Sequence, residues 1–290
     1  LIEALGQYVD WVPVCPEVEI GMGTPRPPMI LERSAGEGVR LVIPETGEDV
    51  TQRMDEYAEL RVDALRGERL SGYVLKAGSP SCGMESLPVY GAEGEPSTDG
   101  VGRFASVLLT RMPQLPVEEE RRLTDYRLRE NFVTRIFARA RWLALIGAGL
   151  TIGDLMSFHA RHEYLLMSRD PVAARELGRM LAGAGRAGAE TSNLAADYER
   201  VFSEALRRVP DRGRHTDVLQ RIVSDLPEEV DPGDRAELRK ATEAYGSGQA
   251  PLGVPVGLIR HHVRRLGVEC RAAQVYLEPH PHALMLLDHV

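Results

Sequence analysis

The sequence predicts an α/β domain built on a doubly wound parallel sheet, followed by an all-helical domain. Strand-like and helix-like segments alternate through residues 1–118, as in a parallel sheet covered by helices. From residue 119 onward, apolar residues recur only at helical spacing. The length of 290 residues also fits two domains. We therefore expect one domain over residues 1–118 and a second over residues 119–290.

The first domain shows strand and helix signals in turn. β-branched and aromatic runs bounded by turn residues predict strands over residues 11–14, 40–43 and 71–77. Helices are expected over residues 49–65 and 101–109, with a polar loop over residues 91–100 before the second of them. A last strand with a linker is expected over residues 113–124. Asp49 is the predicted N-cap of the first of these helices, with Gln52 three residues on. Since residues 2–8 resemble the end of a helix, we expect the first strand of the sheet upstream of Leu1.

The second domain reads as a series of amphipathic helices. Apolar residues at helical spacing predict them over residues 125–147, 154–167, 170–183, 192–209, 215–226, 231–245 and 255–266. Asp170 followed by Pro171 is typical of a helix start. The tail over residues 272–290 carries no clear periodicity.

Composition excludes several protein classes. No run of about 18 apolar residues occurs, so we expect no membrane span. The three cysteines, Cys15, Cys82 and Cys270, are too few and odd in number for a disulfide framework, which predicts a reducing, cytoplasmic location. No segment predicts an obligate protein partner.

The formal net charge of -8 is distributed unevenly. Residues 1–118 carry 10 Lys+Arg against 19 Asp+Glu, whereas residues 119–290 carry 25 against 24 and all 8 histidines. Candidate phosphate contacts in this basic half are Arg212, Arg214, His215, Arg260 and Arg264. Charge patterning alone favours the simpler interpretation that these are solvated helix faces.

Two cysteines follow predicted strands. Cys15 comes directly after residues 11–14, and Cys82 lies in the turn after residues 71–77. Ligands collect beyond the carboxyl ends of the strands in an open α/β sheet, so both thiols are expected at one site. Free cysteines are most often buried structural residues. A pair of thiols without a nearby histidine suits iron–sulfur ligation better than Cys/His catalysis. Two ligands are too few for a cluster, so we expect a third cysteine upstream of Leu1.

The order of short motifs in the first domain resembles the thiouracil desulfidase (TudS-type) family. The motifs are Val12-Pro13-Val14-Cys15-Pro16-Glu17, Thr24-Pro25-Arg26-Pro27-Pro28, Asp49-Val50-Thr51 and Leu75-Lys76 followed by Ser79-Pro80-Ser81-Cys82-Gly83. The resemblance implies a non-redox 4Fe-4S cluster held by three cysteines, with the fourth iron open to the sulfur of the substrate. Cys15 and Cys82 match two of the ligands.

Motifs in the second domain resemble the helical domain fused to a subset of these enzymes. They are residues 158–167, 214–220 and 274–281. This arrangement is similar to the tRNA 4-thiouridine desulfidases (RudS-type), which implies tRNA as partner and conversion of 4-thiouridine to uridine. Alternatives are the same chemistry on free thiouracil or 4-thiouridine nucleotides, and a non-catalytic iron–sulfur sensor that binds RNA.

The resemblance also implies catalytic roles for a glutamate and a serine. These map to Glu17 and to Ser79 or Ser81, of which Ser79 is favoured. Glu17, next to Cys15, is placed to move the protons that an attacking water loses and a leaving sulfur needs. From the residues alone, Glu17 reads as surface charge and the serines as turn formers.

Two further patterns have a structural interpretation and a functional one. Residues 100–105 have GxGxxA spacing but follow a loop, so a dinucleotide site is not expected, although the helix start could hold a phosphate. His159 and His162 lie three apart on one helical face. Such a pair is more often structural than a metal site, and no metalloprotease motif is present.

Overall fold

The computed structural model describes residues 2–34, 38–91, 95–187, 191–228, 230–265, 267 and 274–289. The chain divides into two compact units, Leu1–Thr124 and Asp125–Val290, here called the N-terminal unit and the helical unit. The boundary lies after Thr124 rather than after residue 118. The reason is that Val117–Glu119 forms a strand paired with Tyr73–Leu75, which ties this segment to the N-terminal unit.

The N-terminal unit mixes short strands with two longer helices. Its strands are β1 (Ile30–Ser34), β2 (Gly38–Ile43), β3 (Glu48–Asp49), β4 (Tyr73–Leu75), β5 (Leu87–Tyr90), β6 (Ser97–Gly100) and β7 (Val117–Glu119). Its helices are α1 (Ile2–Leu5), α2 (Pro16–Glu19), α3 (Thr51–Gly67) and α4 (Arg103–Arg111). The predicted α/β class is confirmed.

Strand pairing differs from a single doubly wound parallel sheet. Five strands form one sheet in the order β3-β2-β1-β5-β6, and β4 pairs with β7 in a second sheet. Within the described residues, β1–β5 and β4–β7 are parallel, whereas β1–β2, β2–β3 and β5–β6 are antiparallel. The antiparallel pairing of β2 with β3 follows from the short connection between them, residues 44–47, which is long enough for a hairpin. A parallel pair would need a longer crossover connection.

Local predictions in the N-terminal unit need three corrections. Residues 11–14 form no strand in the described part of the chain, whereas residues 97–100, predicted as loop, form β6. Asp49 is not the N-cap of α3, because Val50 occupies that position and Asp49 lies in β3. The Asp49 carboxylate instead accepts a hydrogen bond of 2.9 Å from the backbone N–H of Thr51.

The helical unit confirms the all-helical prediction. Its described helices are α5 (Tyr126–Gly147), α6 (Ile152–Arg169), α7 (Pro171–Ala187), α8 (Thr191–Arg207), α9 (Arg212–Ser224), α10 (Pro232–Gly246) and α11 (Gly253–Arg265). Trp142, Phe158 and Tyr198 pack in the core, with the Trp142 and Tyr198 rings stacked 5.6 Å apart. The described part of the tail, residues 274–289, forms three 3₁₀ turns, Val275–Leu277, His282–Leu284 and Leu286–His289. Among the described helices, none has the length and apolarity needed to cross a membrane.

Candidate functional site

Two loops of the N-terminal unit bring the predicted catalytic residues together. Cys15 immediately precedes α2, and its backbone carbonyl accepts a hydrogen bond of 2.9 Å from the N–H of Glu19. The second loop follows β4, where Gly78 has a φ of 71°, a left-handed conformation that glycine adopts readily. The turn after Gly78 carries Ser79, Ser81 and Cys82 to the same place. The predicted convergence of the two cysteine loops is therefore present.

Glu17 lies at the centre of this site. Its side chain is buried, with 7% of the residue exposed. Ser79 Oγ donates a hydrogen bond of 3.1 Å to Glu17 Oε1, and Ser81 Oγ donates to the same oxygen. The other oxygen, Oε2, lies 3.5 Å from the Sγ atom of Cys15, whose thiol donates to it. The structure thus joins both predicted serines and one predicted cysteine through a single carboxylate.

The environment of Glu17 favours its ionised form. Burial by itself raises the pKa of a carboxyl group. Here the hydrogen bond from Ser81, the charge of Arg26 and the hydrogen bond from Ser79 outweigh burial, and the pKa of Glu17 is lowered from 4.5. Glu17 is therefore a carboxylate at neutral pH, ready to accept a proton rather than to donate one.

Cys82 is a buried thiol beside that carboxylate. Ser81 Oγ lies 3.7 Å from its Sγ atom. Burial, reinforced by the negative charge of Glu17, raises the pKa of Cys82 to about 12. The thiol is therefore neutral in this protein without a metal, and a metal would have to displace its proton.

Two thiols from two loops provide a donor set that fits part of an iron–sulfur cluster. Cys15 is half-buried, Cys82 is buried, and both are free cysteines. All 8 histidines lie beyond residue 118, so no imidazole from this unit competes with the thiols. The third cysteine of the chain, Cys270, lies outside the described residues.

Arg26 is a member of the site to which sequence reasoning assigned no role. Its Nη2 atom lies 3.7 Å from Cys15 Sγ and 3.6 Å from Glu17 Oε2, and its Nη1 atom donates to the carbonyl of Gly23 at 3.2 Å. A guanidinium at this position stabilises negative charge on both neighbours. Its position in the sequence could have indicated a role, because Arg26 lies within one of the motifs that carry the resemblance.

Backbone groups at the start of α4 form hydrogen bonds with the Ser79–Cys82 turn. Backbone N–H groups of Gly102, Arg103 and Ala105 donate to carbonyl oxygens in residues 80–83, at 2.8 to 3.2 Å. A Cβ atom at Gly102 would lie 2.5 Å from the carbonyl carbon of Ser81. The GxGxxA spacing therefore reflects close packing of two backbones. Since these N–H groups already have acceptors, the helix start does not offer them to a phosphate.

His215, predicted to contact RNA, is buried in the helical unit and only 3% exposed. Its Nδ1 atom lies 2.9 Å from the hydroxyl of Tyr276, and burial lowers its pKa to about 3. The prediction is wrong for this residue, because His215 lies on the apolar face of α9 with Val218 and Leu219.

The predicted arginine contacts fall into two groups. Arg212 Nη1 donates to the carbonyl of Tyr245 at 2.6 Å, and Arg264 Nη2 pairs with Glu278 at 2.7 Å, so both contribute contacts within the fold. Arg214 is exposed and Arg260 is half-buried. These two are the better placed of the four for an external anion.

In the described part of the helical unit, neither His159 nor His162 belongs to a converging set of metal ligands. The Nδ1 atom of His159 lies 3.2 Å from the hydroxyl of Tyr198, and that of His162 lies 2.7 Å from the carbonyl of Phe158. In the described residues, Asp234, Glu237 and His262 offer three converging ligand atoms. Arg265 already pairs with Asp234, which places a positive charge where a metal ion would bind.

Comparison with known proteins identifies relatives of each unit. Residues 1–120 match the family model of 2-thiouracil desulfurase, and residues 163–281 match a protein family of unknown function, DUF1722. The uncharacterized protein YbgA of Escherichia coli (strain K12) is 26% identical over 164 residues, covering 55% of this chain and 94% of YbgA. A solved structure, 4Fe-4S-dependent thiouracil desulfidase TudS, is 35% identical, covering 42% of this chain and 76% of that one, with a TM-score of 0.34.

Proposed function

Residues 1–120 belong to the 2-thiouracil desulfurase family, and on that basis we propose that this chain is an iron–sulfur-dependent desulfidase acting on a thiolated pyrimidine. The observation that carries the proposal is the buried carboxylate of Glu17, which two serines hold against the thiol of Cys15 and beside that of Cys82. A carboxylate beside two thiols supports a base next to the sulfur ligands of a cluster.

The proposed cofactor is a 4Fe-4S cluster, as in the name of the similar TudS. Cys15 and Cys82 would supply two of its ligands. When bound, the cluster would supply a Lewis-acidic iron for the sulfur of the substrate. A metal-bound Cys15 would be a thiolate, which no longer donates to Glu17.

Glu17 would move protons in this reaction. Replacing C=S by C=O consumes one water and releases one hydrogen sulfide, so two protons pass from the water oxygen to sulfur. Ser79 and Ser81 occupy Oε1 of Glu17, which leaves Oε2 as the atom that accepts a proton from water and returns it to the leaving sulfur. The lowered pKa of Glu17 keeps this atom available as a base.

The proposed substrate is 4-thiouridine in tRNA, converted to uridine, in the cytoplasm. Support comes from the charge difference between the two halves and from exposed arginines such as Arg214 in the helical unit. Free thiouracil and 4-thiouridine nucleotides require the same chemistry but no RNA contact. A non-catalytic iron–sulfur sensor would require no base at the cluster, and Glu17 favours the enzyme.

The test uses full-length protein reconstituted anaerobically with iron and sulfide. tRNA containing 4-thiouridine, 4-thiouridine monophosphate and 2-thiouracil are each incubated with it, and nucleoside or base analysis follows the product. We expect conversion of tRNA-borne 4-thiouridine that disappears in Cys82→Ala and persists in the matched variant Cys270→Ala. Conversion of the two small substrates alone would replace the tRNA proposal. A loaded cluster that converts none of the three would exclude the desulfidase.

A further inference from the structure

The parallel strands β4 and β7 end side by side next to the Ser79–Cys82 turn. Leu75, the last residue of β4, is paired with Glu119, the last residue of β7. The N–H of Glu120 donates a hydrogen bond of 3.1 Å to the carbonyl of Leu75. Since the chain leaves β4 through residues 76–78 and enters the turn, the end of β7 lies beside the segment that carries both serines and Cys82.

Glu119 binds the backbone just beyond the far end of this turn. Its Oε1 atom accepts a hydrogen bond of 2.6 Å from the N–H of Met84. The residue is only 7% exposed. A buried carboxylate costs free energy unless hydrogen bonds compensate it, and a hydrogen bond from a backbone N–H to a charged oxygen is among the strong ones. This contact therefore restrains the chain two residues after Cys82.

Glu120 binds the backbone just before the near end of the turn. Its Oε2 atom accepts a hydrogen bond of 2.6 Å from the N–H of Ala77, and its Oε1 atom accepts one from the exposed ammonium group of Lys76. Glu119 and Glu120 are consecutive in sequence, so a single strand end binds the chain on both sides of the turn.

The turn between these two contacts is closed by its own hydrogen bonds. The N–H of Gly83 donates to the carbonyl of Ser79 at 2.6 Å. Ser79 Oγ accepts from the N–H groups of Ser81 and Cys82 at 3.3 and 3.2 Å. Residues 79–83 thus form one compact piece, and its placement depends on the start of α4 and on the contacts at its two ends.

We propose that Glu119 and Glu120 are positioning residues, which fix the Ser79–Cys82 turn and thereby the place of Cys82 relative to the Cys15 loop. The inference rests on the proposed function, because it takes both cysteines as ligands of a cluster. Groups that hold metal ligands in place without touching the metal typically change metal affinity or activity about 10–100-fold when they are removed.

The first test measures how fast the reconstituted full-length protein loses iron to a chelator under anaerobic conditions. Glu119→Met keeps an unbranched side chain of similar length but removes the oxygen acceptor, and we expect iron loss at least about tenfold faster. Glu119→Gln keeps an amide oxygen that can accept from Met84, so it should restore a rate close to that of the wild type. The matched control Glu85→Met removes an exposed carboxylate of the same loop and should leave the rate unchanged.

The second test needs no cluster. Hydrogen exchange of the cluster-free protein is followed by mass spectrometry of peptides that span residues 79–86. Exchange should be about tenfold faster in Glu119→Met, because a backbone N–H loses its acceptor, while peptides from α3 should exchange as in the wild type. Glu120→Met, at a half-buried position, should act in the same direction on residues 76–79 and repeats both tests if Glu119→Met does not fold.

The outcomes separate this proposal from the proposed function. Iron loss at the wild-type rate in both Glu119→Met and Glu120→Met would overturn the positioning role, even if hydrogen exchange becomes faster. Equal impairment in Glu119→Gln and Glu119→Met would overturn it as well, because the hydrogen bond would not be the cause. A wild type that holds its cluster but converts no thiolated pyrimidine would contradict the desulfidase, whereas iron loss and exchange would still decide the role of the two glutamates.

Discussion

Glu17 and Glu130 are buried carboxylates in different units, and their partners give them different roles. Both have a lowered pKa despite burial. Arg169 Nη2 lies 3.2 Å from each carboxylate oxygen of Glu130, and Thr134 donates to it at 2.7 Å. The nearest guanidinium to Glu17, that of Arg26, lies 3.6 Å away.

The comparison shows how one residue type becomes structural in one place and reactive in another. A guanidinium spans both oxygens of Glu130, so its charge is neutralised and neither oxygen is available to a substrate. The hydroxyl groups of Ser79 and Ser81 bind only Oε1 of Glu17. The thiol of Cys15 donates to Oε2, and a bound metal would remove the proton of that thiol. Incomplete pairing, rather than burial, distinguishes the proposed catalytic carboxylate.

The largest expected effect is on activity. Glu17→Gln should lower desulfidation about 10²–10⁴-fold, because an amide cannot accept the proton from water. Iron and sulfide content should match the wild type, since Glu17 is not a predicted ligand. Glu45→Gln, which changes an exposed turn residue of the same unit, is the control and should retain full activity. Unchanged turnover in Glu17→Gln would remove this residue from the mechanism.

Glu130→Gln should affect stability. The substitution leaves the buried guanidinium of Arg169 without its counter-charge, which costs about 3–5 kcal/mol. Denaturant unfolding is followed by the fluorescence of buried Trp142 in a Trp11→Phe background. Glu204→Gln breaks an exposed pair with Arg207 and should change the free energy of unfolding by less than about 1 kcal/mol. If Glu130→Gln and the wild type have the same free energy of unfolding, the pair with Arg169 does not stabilise the fold and the contrast with Glu17 fails.

Gly102→Ala tests the backbone support of the candidate site. An added Cβ atom would meet the backbone of Ser81, so the Ser79–Cys82 turn must shift at a cost of about 1–3 kcal/mol. Activity should fall with stability, because the turn carries both serines and a cysteine. The control is Gly67→Ala, where no atom lies within 4 Å of the added Cβ. Full activity in Gly102→Ala would show that the position of this turn is not critical.

The last comparison concerns pH and separates the two units. The pKa of His162 and His215 is lowered from 6.5 to about 3, so these rings are neutral in the folded chain. Between those values the unfolded chain binds more protons, and stability is lost as pH falls below 6.5. Each ring contributes up to about 1.4 kcal/mol per pH unit.

Hydrogen exchange of backbone amides, corrected for its intrinsic pH dependence, measures how the stability of each unit changes with pH. Protection of α9 in the helical unit should decrease from about pH 7 to about pH 5, where histidines titrate. Protection of α3 should change less, because the N-terminal unit contains no histidine. His162→Gln should reduce the slope for α9. Equal slopes in the two helices would contradict the contrast between the units.

Local sequence signals were sufficient to predict the helices of the helical unit. The 3.6-residue period predicts these helices to within a few residues, and Asp170 followed by Pro171 predicts the start of α7, since both signals depend on near neighbours in the chain. The proposed roles of Glu17, Ser79 and Ser81 came from the family resemblance, since the residues alone indicated a surface charge and turn formers. The structure brings these side chains into contact.

Long-range packing decided the remaining features. The mixed pairing of β1 with β2 and β5, and the burial of His215 against Tyr276, depend on partners distant in sequence. Arg26 likewise meets Cys15 only after the chain folds back. Residue type and spacing specify which groups are available, but hydrogen-bond partners, burial and charge compensation are set when distant segments pack together.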